Sequence, residues 1–437
     1  MALNKIFISL ILFSSLALAS PKNQASIAPE IKKFSQVMND IQKYYVYPES
    51  KKTLFESALQ GMLSGLDPHS AYLSREEWRG LQETTKGQFA GIGLEVTMKQ
   101  GLVRVITPLQ GSPAKRAGIK TNDTIIRLNG KALLGLTLRM AIDQLRGPVG
   151  STISLDIMRN GMSNPLHIVL KREMIKVQSV KSHLLTGGYG YIQLALFQTS
   201  TPSEMIAAIN GLKKEAKHKY KLSLQGLLLD LRDNPGGLLD SAIAVADAFI
   251  DGKKGKHTLI VYTKGRGPWA RYTAYAKQGD IIDNVPIIAL INEGSASAAE
   301  IVAGALKDDH RGVLLGTRTF GKGSVQTVIP LSDGSAIRLT TALYYTPSGI
   351  SIQAMGITPD ITVQQITLGS ADFVQNALEA NNLSEADLQG HLATTTPQAK
   401  TANNNADDSD ALIAQDYQLY QALNVLKGMN LTSSMSN

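Results

Sequence analysis

Apolar residues follow two different spacings along the chain, and the change of spacing separates its regions. Between Ile31 and Leu63 they recur every third or fourth position, which predicts amphipathic helices. From Gly91 to Met158, short alternating runs are separated by turn signals such as Asn129-Gly130 and Gly147-Pro148. The first region is therefore predicted to be helical, and the second to be a small domain rich in strands.

After Lys171 the pattern changes again, because two runs are apolar almost without interruption. Leu227–Leu231 and Val285–Ile291 predict strands that are covered on both faces, as in a parallel sheet. In such α/β cores functional groups gather at the carboxyl ends of the strands, where the turns 232–237 and 292–297 would lie. Each run is followed by helical spacing, over Leu238–Ile250 and Ala298–Leu306.

The two ends of the chain differ from the regions between them. Met1 to Ala19 has an early lysine, an apolar run and a small-residue cleavage site, which indicate a signal peptide and export to the periplasm. A retained membrane anchor is the alternative, but the run is shorter than the roughly 20 apolar residues that a span requires. Near the other end, the polar residues 394–410 predict a disordered linker, and Leu412–Leu426 regain helical spacing.

The amino-acid composition argues against several kinds of catalytic and binding site. The 437 residues include no cysteine, which excludes a thiol nucleophile and disulfide bonds. The formal charge of +8 is compatible with nucleic-acid binding, but the basic stretches 213–221 and 253–256 lack interleaved aromatic residues, so no nucleic-acid partner is expected. The seven histidines show no metal-binding spacing, and neither a metal nor another cofactor is expected.

Two residues beyond the second apolar run suggest nucleophilic catalysis. Ser297 ends the turn after that run, and Lys322 lies further on between two glycines. A serine hydroxyl needs a neighbouring base to act as a nucleophile, and a lysine whose pKa is lowered by burial can be that base. Each residue also has a structural explanation. Ser297 and Glu300 fit a helix capping box, and a lysine between glycines fits an exposed turn.

The same region offers backbone amides that could stabilise an oxyanion. A helix that starts at Ser297 would direct the Ala298 amide and the positive end of its dipole towards a carbonyl beside the serine. Gly236 and Gly237 follow the first apolar run, and either amide could supply the second donor.

Seven segments, in order along the chain, resemble the C-terminal processing peptidases, which are the tail-specific proteases of serine peptidase family S41. The segments are Gly91–Val96, Gly111–Gly118, Asp123–Gly130, Leu145–Gly150, Asp230–Gly237, Asn292–Ile301 and Thr319–Gln326. The resemblance implies an α/β fold class, with a crotonase-like α/β protease core, an inserted PDZ domain, and helical N- and C-terminal segments. The implied domains are a signal peptide (1–19), an N-terminal helical segment (20–85), a PDZ domain (86–171), a Ser/Lys protease core (172–370), and a polar linker with a C-terminal helix (371–437).

The family's motifs imply a role for four residues of the core. Ser297 matches the nucleophile, Lys322 the general base, and Gln326 the residue that positions the lysine. Asp308 matches an acidic position with a charge-relay role in some members, and a solvated residue at a helix end is the alternative. Many relatives have a further serine where this chain has Ala299, which leaves Ser295 and Ser297 as candidates, and the lysine spacing favours Ser297.

The implied PDZ domain would select the substrate. It is expected to bind an apolar C-terminal tail as an added strand, with the tail carboxylate held by amides near Gly91, Ile92, Gly93 and Leu94. The resemblance also implies that Arg146 couples an occupied PDZ domain to the core. An exposed arginine with a structural role is the alternative.

The sequence therefore predicts a periplasmic serine endopeptidase that recognises protein substrates by their C-terminal tails and cleaves them with a Ser/Lys dyad. The alternative is a catalytically silent PDZ adaptor that binds protein C-termini. A crotonase-type enzyme acting on a CoA ester is a third interpretation, and it conflicts with export and with the PDZ insertion. An activator or adaptor partner and a homo-oligomer assembled through the terminal helices are further expectations.

Overall fold

The computed structural model describes residues 27–99, 101–109, 111–133, 137–252, 258–277, 279–366 and 416–435. The predicted signal peptide and the predicted linker 394–410 lie outside these residues. The chain divides into two compact units, Met1–Pro68 and His69–Asn437. None of the described helices is both long enough and apolar enough to cross a membrane.

The first unit contains two helices, α1 (Ala28–Tyr44) and α2 (Lys51–Ser64), as the apolar spacing predicted. The Ser50 hydroxyl caps α2 by accepting a hydrogen bond from the Thr53 amide at 3.0 Å. Phe34 of α1 meets Phe55 of α2 edge to face, with ring centroids 6.1 Å apart. Much of the apolar face of this helix pair stays exposed, including Ile31 and Val37.

The strand-rich domain predicted from the alternating runs follows helix α3 (Arg75–Lys86) in the second unit. Its core consists of inward-facing residues such as Val103, Ile125, Leu128 and Leu155, all of which are buried. The chain enters and leaves this domain through a two-stranded ribbon, in which β2 (Gln88–Gly91) pairs with β9 (Glu173–Lys176). The elements of this part are β1 (Ala71–Leu73), α3 (Arg75–Lys86), β2 (Gln88–Gly91), β3 (Leu94–Lys99), β4 (Leu102–Pro108), α4 (Pro113–Arg116), β5 (Thr124–Leu128), β6 (Lys131–Ala132), α5 (Leu138–Leu145), β7 (Thr152–Met158), β8 (Leu166–Lys171) and β9 (Glu173–Lys176).

The remaining part of the second unit is the α/β core. It contains a six-stranded sheet in the order β10-β11-β12-β15-β16-β19, and a second, antiparallel sheet of β1, β18, β13, β14 and β17. The elements of the core are β10 (Val180–Leu185), β11 (Tyr189–Leu194), α6 (Thr201–Tyr220), β12 (Gly226–Asp230), α7 (Leu239–Asp247), β13 (Leu259–Gly265), β14 (Tyr272–Tyr275), β15 (Ile287–Ile291), α8 (Ala298–Asp308), β16 (Val313–Gly316), β17 (Ser324–Pro330), β18 (Ala336–Tyr345), β19 (Ile361–Thr362) and α9 (Tyr417–Met435).

The two apolar runs are the central parallel strands β12 and β15, and they are covered on both faces as predicted. Leu227 and Leu229 pack with α6, α7 and α8, whereas Leu228 between them packs against α9. This alternation follows from the two-residue period of a strand. β15 begins at Ile287 rather than Val285, because Pro286 has no amide proton to donate to a ladder.

Helix α9 is fastened to the sheet by a partly buried ionic cluster at the end of β12. The Arg232 guanidinium donates to Asp230 at 2.7 and 3.0 Å and to Asp416, just before α9, at 2.7 and 2.9 Å. Burial alone would lower the pKa of Arg232, but the hydrogen bonds to the two carboxylates outweigh burial and hold that pKa above its usual range. The predicted C-terminal helix therefore exists, but it starts at Tyr417 and covers the second face of the central sheet.

We expect Leu426→Ala in α9 to lower the free energy of unfolding by about 2 to 5 kcal/mol, since this fully buried side chain fills the space over Gly226. Urea titration followed by circular dichroism measures the change. Leu431→Ala is the matched control, because Leu431 lies on the same helix and is 67% exposed. Equal effects of the two substitutions would contradict the docking of α9.

Candidate active site

The turn after β15 holds Ser297 in a strained conformation at the start of α8. Its φ of 54° and ψ of −113° are unusual for a residue with a side chain. The buried Ser295 has a structural role, because its hydroxyl donates to the Leu231 carbonyl at 2.8 Å and accepts from the Asn292 amide at 3.0 Å. Ser297 is partly exposed, so the geometry favours it over Ser295 as a reactive serine.

The buried carboxylate of Glu300 joins the serine turn to the lysine loop. It accepts from the amides of Ser297, Gly321 and Lys322 at 2.8, 2.7 and 2.8 Å, and from the Thr319 hydroxyl at 2.6 Å. The Ser297 and Lys322 amides donate to the same oxygen, so these two nitrogens cannot be further apart than twice 2.8 Å. The sequence indicated Glu300 only as a helix cap.

Lys322 is partly buried, and its amine has no hydrogen-bond or ion-pair partner among the described residues. Burial lowers the pKa of Lys322, the positive charge of Arg338 lowers it further, and the Glu300 carboxylate opposes both effects. Arg338 lies on β18, and its Nε donates to the His69 carbonyl at 2.9 Å. An amine in these surroundings can be neutral and can accept a proton.

Tyr344 is a site residue that the sequence did not indicate. It is 2% exposed, its hydroxyl contacts the Lys322 carbonyl, and the Ser297 side chain lies near enough to influence its pKa. Burial raises the pKa of Tyr344 well above its usual range, so the phenol is neutral. Among the described contacts, no hydrogen bond joins the Ser297 hydroxyl to the Lys322 amine, so their direct contact requires side-chain rotation.

The structure brings Gln326 close to the lysine loop but leaves Asp308 at a distance. The Gln326 amide group donates to the hydroxyls of Ser324 and Thr340 at 2.9 and 3.3 Å, and its carbonyl oxygen accepts from none of the described residues. Asp308 ends α8, about 16 Å along the helix axis from Ser297. Its carboxylate accepts from the Ser348 amide at 2.9 Å, which fits the structural alternative.

The turn after β12 lies directly against the serine turn. A Cβ atom on Gly236 would lie 2.8 Å from the Ser297 Cβ and 2.9 Å from the Ala298 nitrogen. The Gly236 amide already donates to the Asn234 side chain at 2.8 Å. Within the described residues, the amides of Ala298 and Gly237 donate to no acceptor. Of the two predicted second donors, Gly237 is therefore the one with an available amide.

The strand-rich domain has a groove between β3 and α5. A cavity of about 240 Å³ is lined there by residues that include Phe89, Ile92 and Leu145. β3 pairs with β4 alone, so its other edge is open among the described strands. The amides of Ile92 and Gly93 donate to none of the described residues, and this is the arrangement that a terminal carboxylate would need.

Comparisons with known proteins agree with these features. Residues 188–363 match the model of peptidase family S41, residues 90–170 match a PDZ domain, and residues 14–77 match the N-terminal domain of the activating protease CtpB. The carboxy-terminal-processing protease of Bartonella bacilliformis is 41% identical over 97% of this chain and 94% of its own length. The chain belongs to the C-terminal processing proteases of family S41.

Two further proteins resemble this S41 protease. The carboxy-terminal processing protease CtpA of Bacillus subtilis is 36% identical over 76% of this chain and 68% of its own length. Among solved structures, the photosystem II D1 C-terminal processing protease is 31% identical over 76% of this chain and 86% of that chain, with a TM-score of 0.45. The predicted fold class, an α/β protease core with a PDZ domain, is confirmed.

Arg146 lies where the PDZ domain of this S41 protease meets α3. Its guanidinium lines the groove, lies 5.5 Å from the centroid of the Phe89 ring, and lies 3.7 Å from the Glu83 carboxylate of α3. An arginine in this position contacts both the ligand groove and a helix outside it, and its role as a coupling residue stays a prediction.

We expect Gly236→Ala to reduce peptidase activity at least about a hundredfold, because the added methyl group would displace the serine turn. Gly211→Ala is the matched control, since no atom lies within 4 Å of a Cβ added in the middle of α6. Peptide hydrolysis by both variants, with circular dichroism to verify folding, measures the difference. Full activity of a folded Gly236→Ala protein would contradict the contact between the two turns.

Proposed function

We propose that this S41 protease is a periplasmic endopeptidase that uses Ser297 as the nucleophile and Lys322 as the general base. The single observation that supports this proposal best is the Glu300 carboxylate, which holds the backbones of both residues at one oxygen. The partly buried and unpaired amine of Lys322 supports it further, because an amine must be neutral to take a proton from serine.

The proposed reaction begins with a side-chain rotation that brings the Ser297 hydroxyl and the Lys322 amine into contact. The neutral amine takes the hydroxyl proton as the serine oxygen attacks the scissile carbonyl. The Ala298 and Gly237 amides donate to the resulting oxyanion, and Lys322 gives its proton to the leaving amine. Lys322 then takes a proton from the water that attacks the acyl-enzyme, and it returns this proton to the Ser297 oxygen as the ester bond breaks. The Gln326 carbonyl oxygen is available to accept from the amine and to orient it.

Substrates are proposed to enter by their C-terminal tails. The open edge of β3 can pair with an extended tail, the amides of Ile92 and Gly93 can bind its carboxylate, and the apolar groove can hold its last side chain. These features favour proteins with free apolar C-termini as substrates.

Two further parts of the proposal rest on other observations. The signal-peptide pattern supports export. The exposed apolar face of α1 and α2 supports a homo-oligomer.

A silent adaptor would need only the PDZ groove. The strained Ser297, the unpaired Lys322 amine and the two available amides beside them would then have no purpose. These features favour the enzyme, because strain and lowered amine pKa values cluster at catalytic sites.

We expect the wild-type protein to cleave an unfolded substrate with an apolar free C-terminus, and to cleave the same substrate more slowly when that terminus is amidated. Ser297→Ala should abolish cleavage of both and keep the affinity for the free tail, because the PDZ groove is untouched. Gel-based turnover and fluorescence anisotropy measure the two properties. Tail binding without any turnover by the wild-type protein would support the adaptor instead.

The pH dependence of kcat/KM should follow the ionisation of Lys322, the proposed general base. Protonated Lys322 cannot accept a proton, so activity should rise with pH until the amine is neutral, with a midpoint below the usual lysine value of 10.5. Arg338→Gln removes a positive charge that disfavours the ammonium, so we expect it to move the midpoint to higher pH. Arg127→Gln, on the exposed surface of the PDZ domain, should leave the profile unchanged. An unshifted midpoint in Arg338→Gln would contradict the assignment of Lys322.

A further inference from the structure

The hairpin formed by β13 and β14 exposes three large aromatic side chains. Trp269, in the turn, is 70% exposed, and Tyr272 and Tyr275 of β14 are 47% and 49% exposed. Large apolar side chains that are exposed together mark a surface that binds a partner. The proposed catalytic residues and the tail groove include none of the three, so this hairpin is a candidate for a separate interaction.

The same hairpin is strongly basic. No acidic residue occurs between Asp251 and Asp280. Lys264, Arg266 and Arg271 are exposed, and none of these three side chains forms an ion pair with another described residue. The two arginines lie on either side of the turn, so they place positive charge that no carboxylate neutralises next to the exposed indole.

Buried contacts hold the turn of the hairpin in this shape. The buried hydroxyl of Thr263 donates to the Ala270 carbonyl at 2.8 Å and accepts from the Tyr272 amide at 2.9 Å. The indole of Trp269 packs over the backbone of Gly267, where an added Cβ atom would collide with it. The exposure of Trp269 therefore follows from the fold of the turn.

The exposed aromatic residues form a ridge rather than a groove. Among the described strands of its sheet, β14 is an edge strand. Tyr272 and Tyr275 are three positions apart on it, so their side chains lie on opposite faces of the sheet. What they share with Trp269 is the free edge and the end of the hairpin. A ridge cannot enclose a small molecule, but it can enter the soft boundary between water and lipid.

We propose that this hairpin binds the surface of a bilayer that contains anionic lipids. Trp and Tyr rings are favourable at the level of the headgroups, because each has an apolar body and a group that can donate a hydrogen bond. Exposed lysines and arginines are attracted to the negative surface potential of such a bilayer. The hairpin combines both chemistries, as segments that lie in the membrane interface do. This inference goes beyond the proposed peptidase function and does not depend on it.

Binding through the hairpin would hold the active site near the membrane. β13 pairs with β18, and Thr263 lies opposite Tyr344, whose hydroxyl contacts the lysine loop. The hairpin and one wall of the site thus belong to the same sheet. Proteins anchored in the bilayer would then present their tails close to the protease.

A lipid surface fits the ridge better than three other partners do. In a symmetric contact between two copies the same patch meets itself, so the cations of the two ridges would face each other. Single-stranded nucleic acid binds cations and aromatic rings that line a groove, whereas these side chains lie on a ridge. A peptide added to β14 would meet Arg271 and Lys277 at the two ends of the strand, and such charges commonly protect an edge from strand pairing.

The first test measures binding to lipid vesicles by co-sedimentation. The protein is the mature chain left by the predicted cleavage after Ala19, because the apolar run before it would bind lipid by itself. We expect it to bind vesicles of phosphatidylcholine with phosphatidylglycerol at least about tenfold more tightly than vesicles of phosphatidylcholine alone. Raising the salt concentration from about 0.1 M to about 1 M should weaken this binding severalfold, because salt screens exposed charges.

Variants of the hairpin test which surface binds. Arg266→Gln with Arg271→Gln removes two cations, and we expect about tenfold weaker binding to the anionic vesicles. Lys214→Gln with Lys217→Gln is the matched control, since it makes the same change in net charge at exposed positions of α6 and should weaken binding less than about twofold. Trp269→Ala should weaken binding about fivefold, because it removes the ring that enters the interface. Circular dichroism verifies that the variants are folded.

Tryptophan fluorescence follows the hairpin directly. The chain has two tryptophans, so Trp78→Phe leaves Trp269 as the single one. We expect anionic vesicles to shift the emission of Trp269 to shorter wavelength and to protect it from quenching by acrylamide, because the ring leaves water for the headgroup layer. Vesicles of phosphatidylcholine alone should produce neither change at the same lipid concentration.

Each other outcome overturns the proposal. Failure to bind anionic vesicles does so, as does binding that leaves the Trp269 emission unshifted or that the hairpin variants do not weaken. Heparin or RNA that binds as tightly as the vesicles and protects Trp269 equally would assign the hairpin to a soluble polyanion. Analytical ultracentrifugation that shows an oligomer dissociated by Trp269→Ala would assign it to a second copy. Peptide hydrolysis without vesicles should be unchanged in the hairpin variants, so failure of the proposed function would be a separate result.

Discussion

The buried carboxylate of Glu300 is the interaction on which the active site depends. It collects four hydrogen bonds from two loops that are separated in sequence by β16 and α8. A carboxylate removed from water is strongly unfavourable unless its oxygens are hydrogen-bonded. The serine turn and the lysine loop therefore stabilise each other through this one group, and neither can move away without leaving the buried charge unsatisfied.

The central sheet positions these loops by ending its strands at one edge. β12 and β15 are neighbouring parallel strands, so the turns that follow them meet, and Gly236 touches Ser297. The absence of a side chain at Gly236 makes this approach feasible. At the end of β12, Arg232 binds both Asp230 and Asp416, so helix α9 also helps to fix the strand from which the glycine turn emerges.

Much of this arrangement could be predicted from sequence, because the relevant signals are local. Unbroken apolar runs indicated β12 and β15, the cap pattern indicated the start of α8, and glycines flanking Lys322 indicated a tight loop. Tyr344 and Arg338 could not be predicted, since each approaches the site across a sheet from a strand whose sequence carries no catalytic pattern. The choice between Gly236 and Gly237 likewise depends on the Asn234 side chain, whose direction no spacing reveals.

Helix α9 follows the described strands of the central sheet in sequence, and it covers the apolar face formed by Leu228, Ile288 and Leu290. A chain cut between β19 and α9 would keep the serine turn and the lysine loop but would expose this apolar face to water. An enzyme that cuts polypeptides therefore depends on the integrity of its own segment before α9.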